Sequence, residues 1–191
     1  EDAVVAFNRH ATSKITEEED LYRINTLGFR GEALASIASV SNVVLKTSQG
    51  EVGTLVNIKG GKVITVENTD ARVGTSIEVT ELFYNTPARL KFLRKPKSEE
   101  NDITNYVEKL ILSHSEIAFK YIVDGKLIYN TLNCSVIDNL YTIYGKETAD
   151  NVLEVNYSIG DYSIYGYVSK PEFSKANRTY QNLFVNNRFC N

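Results

Sequence analysis

The chain has 191 residues, 42% of them hydrophobic and 24% charged, with a formal net charge of −3, enough apolar material for one large domain or for a domain and part of another. The slightly acidic balance excludes an overall positive field that would hold nucleic acid or an anionic membrane, so any DNA contact has to come from a local patch. No apolar run approaches the ~18 residues of a membrane span, and Glu1-Asp2-Ala3-Val4-Val5 has neither the basic start nor the apolar centre of a signal peptide, so a soluble protein is expected. Cys134 and Cys190 lack the spacing of a zinc site and the density of a disulfide scaffold, and read as free thiols of a reducing compartment. With no initiator Met, and a stop directly after a strand-like run, the chain is expected to be cut at both ends.

Ala3, Val4 and Phe7 recur at helical spacing, which predicts the last turns of a helix begun upstream. Thr16 followed by Glu19 fits a capping box and predicts a short helix to about Ile24. Gly28-Phe29-Arg30-Gly31 then leads into a second helix, with Leu34, Ile37 and Ala38 on one face. From Asn42 to Val79 the texture changes to β-branched runs broken by Gly50, Gly53, Gly60-Gly61 and Gly74, an antiparallel meander with a tight hairpin at Gly60-Gly61. Thr86-Pro87 is a helix entry, the hydroxyl capping and the ring supplying a fixed φ, with Leu90 and Leu93 on the buried side.

A longer helix is predicted over Asp102 to Ile117, where Ile103, Val107, Leu110, His114 and Ile117 recur. Phe119 to Val123 and Lys126 to Tyr129 flank Asp124-Gly125, a hairpin signal. A helix over Val136 to Tyr144, a hairpin turning at Gly160-Asp161 and a strand at Leu183-Phe184-Val185 complete the pattern. The class is α+β with a mostly antiparallel sheet and helices on one face. The domain boundary is expected near residue 133, dividing 1–132 from 133–191.

Three segments have side chains suited to chemistry. Thr12, Ser13 and Lys14 gather two hydroxyls and an ammonium, groups that hold phosphate oxygens reversibly, although solvated loops carry such runs too. Gly28 to Gly31 before a helix would let backbone amides approach an anion, and the same residues also make a plain turn. Arg89, Lys91, Arg94, Lys95 and Lys97, on the helix begun by Thr86-Pro87, suit DNA phosphates or equally the helix dipole. Of the two histidines, His114 reads as a core residue, and neither it nor His10 has a partner pattern for metal or triad chemistry. Thr75, opening the strand Ser76-Ile77-Glu78-Val79, is either a strand former or a hydroxyl offered to a ligand.

Three words, His10-Ala11-Thr12-Ser13-Lys14-Ile15, Thr26-Leu27-Gly28-Phe29-Arg30-Gly31-Glu32-Ala33-Leu34-Ala35-Ser36-Ile37 and Leu82-Phe83-Tyr84-Asn85-Thr86-Pro87-Ala88-Arg89, closely resemble the MutL family of DNA mismatch repair proteins. That family belongs to the GHKL ATPases. The resemblance runs from residue 1 to about 130, and the remainder resembles the start of the family's second, ribosomal protein S5 domain 2-like domain. Val185-Asn186-Asn187-Arg188 stands where the family usually has Val-Asn-Gly-Arg, a change expected only to weaken a turn.

The resemblance implies a partial GHKL-type ATPase sandwich that binds ATP with Mg²⁺. It implies that Thr12, Ser13 and Lys14 belong to a lid over ATP, that Gly28, Phe29, Arg30, Gly31, Glu32, Ala33 and Leu34 bring amides to the phosphates, and that Thr75 stands near the adenine. The family's general-base Glu, magnesium-binding Asn and Asp-x-Gly-x-Gly motif would lie upstream of Glu1, and its γ-phosphate Lys downstream of Asn191, so this chain alone is expected not to hydrolyse ATP. The implied function is a mismatch-repair switch in which lid closure drives homo- or heterodimerisation and links a MutS-type recognition protein to strand processing on DNA. The residues leave open a non-enzymatic dimerisation and DNA-docking module with a vestigial nucleotide site. The location implied is the cytoplasm of a bacterium or the nucleus of a eukaryote.

Overall fold

The computed structural model describes residues 2–12, 14, 26, 28, 30–70, 72–174, 176–178 and 180–190. The helix expected from Thr16 lies outside the described residues. The chain divides into two compact units, residues 1–93 and 94–191.

In the first unit, α1 (Asp2–Val5) and α2 (Ala33–Ser39) accompany four strands, β1 (Asn42–Ser48), β2 (Gly53–Lys59), β3 (Lys62–Thr69) and β4 (Gly74–Thr80), followed by α3 (Pro87–Lys91). The sheet order is β3-β2-β1-β4 and every pairing is antiparallel. A plain meander would have set β4 beside β3; it pairs with β1 instead, with Thr75 opposite Thr47 and Ile77 opposite Leu45. Burial explains the choice. Val43 and Leu45 of β1 sit opposite Ile58 and Val56 of β2, and these four are buried, so β1 belongs in the sheet interior, whereas the charged and amide residues of β3 suit an edge. Ala38 of α2 joins that cluster, and Ala3, Val4 and Phe7 pack against it, so both helices cover one face as expected.

The hairpin turn between β2 and β3 holds Gly60 at φ +56° and Gly61 at φ +79°. Two successive left-handed residues define the turn whose twist matches the flanking strands, and glycine adopts it without steric cost. Ile64 is the extra residue of a bulge in β3, since Asn57 faces Thr65 and Ile58 faces Val63.

In the second unit, α4 (Pro96–Ser113) precedes the hairpin β5 (Lys120–Val123) and β6 (Lys126–Asn130). Then come α5 (Val136–Tyr144), α6 (Lys146–Asp150), the hairpin β7 (Val152–Ile159) and β8 (Tyr162–Ser169), a 3-10 turn at Pro171–Phe173, and the short hairpin β9 (Leu183–Val185) and β10 (Arg188–Cys190). The Asp124-Gly125, Gly160-Asp161 and Leu183 to Val185 expectations all hold. Asn186 and Asn187 sit at φ +48° and +62°, so Asn187 occupies a left-handed position that asparagine tolerates and glycine fills more easily.

Several local expectations are corrected. The helix α4 starts at Pro96 and ends at Ser113, six residues earlier at its start than its periodicity indicated, because proline at the first helical position supplies an entry that the apolar spacing does not register. Its buried residues are Ile111 and Leu112; Ile103 is exposed, as is Ile117, which lies beyond the helix. His114 ends α4 with its side chain 13% exposed and Nδ1 2.9 Å from the Glu116 carboxylate. Leu90 and Leu93 are 48% and 42% exposed, Ile37 is 40% exposed, and the Thr86 side chain makes no cap bond.

A buried polar link ties α5 to α4. Asn139 is 0% exposed; its amide donates to the Ile111 carbonyl at 3.0 Å and its Oδ1 accepts from the Cys134 thiol at 3.3 Å. Ser135 and Asp138 cap α5 reciprocally. Replacing Asn139 by alanine strands the Ile111 carbonyl in the interior, and we expect a loss of about 2 kcal/mol, read as a lowered urea midpoint for the second unit by circular dichroism.

Candidate functional site

After α1 the chain turns through His10, at φ +63°, to Ala11. The His10 amide donates to the Gly31 carbonyl at 3.1 Å, so the chain leaves for the segment 12–30 and returns from it at one place. Gly31 itself is at φ +67°, and a Cβ there would lie 2.4 Å from the carbonyl oxygen of Ala11. The close approach that requires glycine at 31 is therefore to the protein's own backbone. Among the described residues nothing lies within 4 Å of such a Cβ at Gly28.

The Glu32 carboxylate lies 3.2 Å from Arg30 Nε and 3.4 Å from His10 Nδ1, both on largely exposed side chains, so these contacts orient the loop base more than they stabilise it. The Thr12 hydroxyl accepts from the Lys14 amide at 3.1 Å, and the Thr26 hydroxyl donates to the Gly28 carbonyl at 2.8 Å; such side-chain to backbone bonds shape turns. Lys14, Gly28 and Arg30 are exposed, and Ala33 opens α2. Ser13 and Phe29 lie outside the described residues.

Between α1 and the helix-covered face of the sheet lies a cavity of about 810 Å³. Leu45 and Ile77 of the sheet form an apolar floor, Phe7 and Leu34 contribute apolar wall, and Asp2 and Glu51 are among the other lining residues. The Thr47 and Thr75 hydroxyls, also in its lining, are 2.9 Å apart. An apolar cleft with a few convergent polar groups is the usual form of a small-molecule site. Of the candidate residues, Leu34 and Thr75 line it. Leu34 belongs to the glycine-loop helix, so this cavity and that loop adjoin. The contributions of Phe7, Leu45, Thr47 and Ile77 were not read from the sequence; only the β1–β4 register sets Thr47 and Leu45 beside Thr75 and Ile77.

The basic segment is not one helix. Arg89 and Lys91 end α3, while Arg94 opens the second unit and its guanidinium is taken by Glu99, at 3.0 and 3.3 Å, and by Asp102. That pairing holds the Glu99 carboxyl below its usual range and raises Arg94. Lys97 likewise pairs with Glu100 at 2.6 Å. Among the described residues no three His, Cys, Asp or Glu side chains gather as a metal site, both cysteines are free, and no helix is long and apolar enough to cross a membrane.

The architecture has known counterparts. The ATPase domain of MutL from Aquifex aeolicus, solved with ADP, matches 92% of this chain and 66% of its own length with a TM-score of 0.71 at 22% identity. The N-terminal domain of a DNA repair protein matches 88% of this chain and 57% of its own with a TM-score of 0.73 at 25% identity. The fold is thus the mixed α/β, antiparallel fold of the GHKL-type ATPase domain in MutL proteins. DNA mismatch repair protein MutL of Shouchella clausii is 45% identical over 97% of this chain, and that of a Geobacillus strain 47% identical over 99%. The profile of the DNA mismatch repair protein C-terminal domain matches residues 140–191. The chain belongs to the MutL family of DNA mismatch repair proteins. It spans 28% and 31% of the length of those two relatives.

The two glycines separate by experiment. Gly31→Ala drives a Cβ into Ala11 at a left-handed position and is expected to cost about 1–3 kcal/mol. Gly28→Ala, with no described residue against the new Cβ, is expected to stay within about 0.5 kcal/mol. Thermal unfolding of the two variants checks the order, and equal stabilities would contradict the Ala11 contact.

Proposed function

We propose that the intact protein is an ATP-driven switch of DNA mismatch repair and that this chain supplies the lid and one wall of its nucleotide site. One observation carries the reading: the cavity between α1 and the sheet adjoins, through Leu34, the helix entered from Gly28 to Gly31. Its apolar floor fits a nucleobase, and Thr75 would stand beside the adenine. Gly28 to Leu34 would turn backbone amides toward the phosphates, and Thr12, Ser13 and Lys14 would close over them. The Aquifex domain of like fold was solved with ADP, which supports the choice of ligand.

The residues present fit a nucleotide better than they fit its metal. Magnesium neutralises phosphate charge when bound, but its ligand in this reading is the family's Asn beyond this chain. What these residues do is bind and order. Contacts from Lys14 and the loop amides to phosphate oxygens would offset the entropy of fixing the segment 12–30. Closure would then favour a second copy or a paralogue at the N-terminal region, and the dimer would link a MutS-type protein to strand processing on DNA. Residues through about 132 would complete the ATPase part and 133–191 would begin the S5 domain 2-like part, a division the profile match at 140–191 supports.

In the full-length protein, Lys14→Ala is expected to weaken binding of a non-hydrolysable ATP analogue about tenfold, the size of a lost hydrogen bond to a charged group, and to reduce analogue-induced dimers in sedimentation velocity. Wild-type affinity and dimerisation in the variant would refute the role of Lys14 at the phosphates, whereas no analogue binding by the wild type would point to a docking module with a vestigial site. The isolated 191-residue chain is expected to release no phosphate above background, since the family's base, normally a 10²–10⁴-fold contribution, has no counterpart motif here. Turnover that Lys14→Ala abolishes would refute that expectation.

A further inference from the structure

The C-terminal end of α2 is held by two loops far from it in sequence. The Gly61 amide donates to the Ala38 carbonyl at 2.8 Å, the Phe83 amide to Val40 at 2.7 Å and the Gly60 amide to Ser41 at 3.1 Å. The Asn85 side-chain amide donates to the Ser39 carbonyl at 2.9 Å. Four successive carbonyls thus receive donors from the β2–β3 turn and from residues 83–85, where a helix of this kind would ordinarily leave them to solvent.

The second loop is built at a cost. Glu81 and Phe83 sit at φ +51° and +65°, a region that residues bearing a side chain seldom occupy and that persists only where the surroundings impose it. Asn42 binds the Glu81 carboxylate. The Tyr84 hydroxyl lies 2.7 Å from where a Cβ on Gly60 would stand, and Lys59 Nζ lies 5.4 Å from the centre of the Tyr84 ring. The two loops therefore lock to each other as well as to α2.

We propose that Asn85, with Tyr84 and Gly60, forms a clamp that positions α2, and through it the backbone from Gly31 to Leu34 that faces the nucleotide. This rests on the ATP-binding reading of that loop. The geometry supplies the lever: α2 has seven residues, about 10 Å at 1.5 Å per residue, so a tilt at its gripped end moves Leu34 directly. Asn85, Tyr84 and Gly60 are positioning residues, and none lies in the cavity wall.

The test uses the full-length protein with Asn85→Ala, Asn85→Asp and Gly60→Ala, the last also combined with Tyr84→Phe. Hydrogen exchange reads the amides of Ser36 to Val40 against those of Leu45 and Val56, and titration reads the Kd of a fluorescent non-hydrolysable ATP analogue. Both Asn85 variants should speed exchange in α2 and raise Kd about threefold to tenfold with the strand amides unchanged. Gly60→Ala should do more, and Tyr84→Phe should recover part of its loss by removing the hydroxyl that the new methyl strikes. Unchanged exchange in α2, wild-type Kd in the Asn85 variants, or equal acceleration in the strands would overturn the clamp. Faster α2 exchange in a protein whose wild type does not bind the analogue would refute the ATP reading, and with it any role of the clamp toward nucleotide.

Discussion

The first unit turns on how the carbonyls at the end of α2 find donors. Backbone polar groups withdrawn from water without partners cost more than a formed hydrogen bond returns, and a seven-residue helix has no length to spare for fraying. Taking donors from the Gly60-Gly61 turn and from the loop with Phe83 and Asn85 ties two stretches of chain, each distant in sequence, to one helix end. The hairpin must then turn through two left-handed residues, and the 81–85 loop must accept two more. The apolar cluster beneath, with Ala38, Val43, Leu45, Val56 and Ile58, holds these stretches together so that the exchange of partners is favourable.

A second constraint acts at the other end of the helix. With the His10 amide on the Gly31 carbonyl and Gly31 pressed on Ala11, the segment from Thr12 to Arg30 is closed at its base. This fixed point lies beside Leu34, which lines the cavity.

Charge follows the same local logic. The cations that look like a DNA-facing run in the linear chain fall in two units, and Arg94 and Lys97 are occupied by Glu99, Asp102 and Glu100. Exposed pairs of this kind contribute little to stability, yet they offset two positive charges of that run, while Arg89, Lys91 and Lys95 have no ion-pair partner among the described residues.

Much of this was legible in the sequence, because local chemistry determines local shape. Gly60-Gly61, Asp124-Gly125 and Gly160-Asp161 announced their hairpins, the apolar spacing of Ala3, Val4 and Phe7 announced a helix face, and the three motif words announced the family and its fold. Tertiary structure decided what depends on which strands meet. The β1–β4 pairing set Thr75 against Thr47 and made a cavity floor of Leu45 and Ile77, since side-chain neighbours across a sheet follow register rather than spacing along the chain. It likewise exposed Leu90, Leu93 and Ile37, whose periodicity says which residues share a face but not whether anything covers it. And it gave Gly31 a reason no motif contains: the Ala11 backbone, twenty residues away in sequence, occupies the space a Cβ would need.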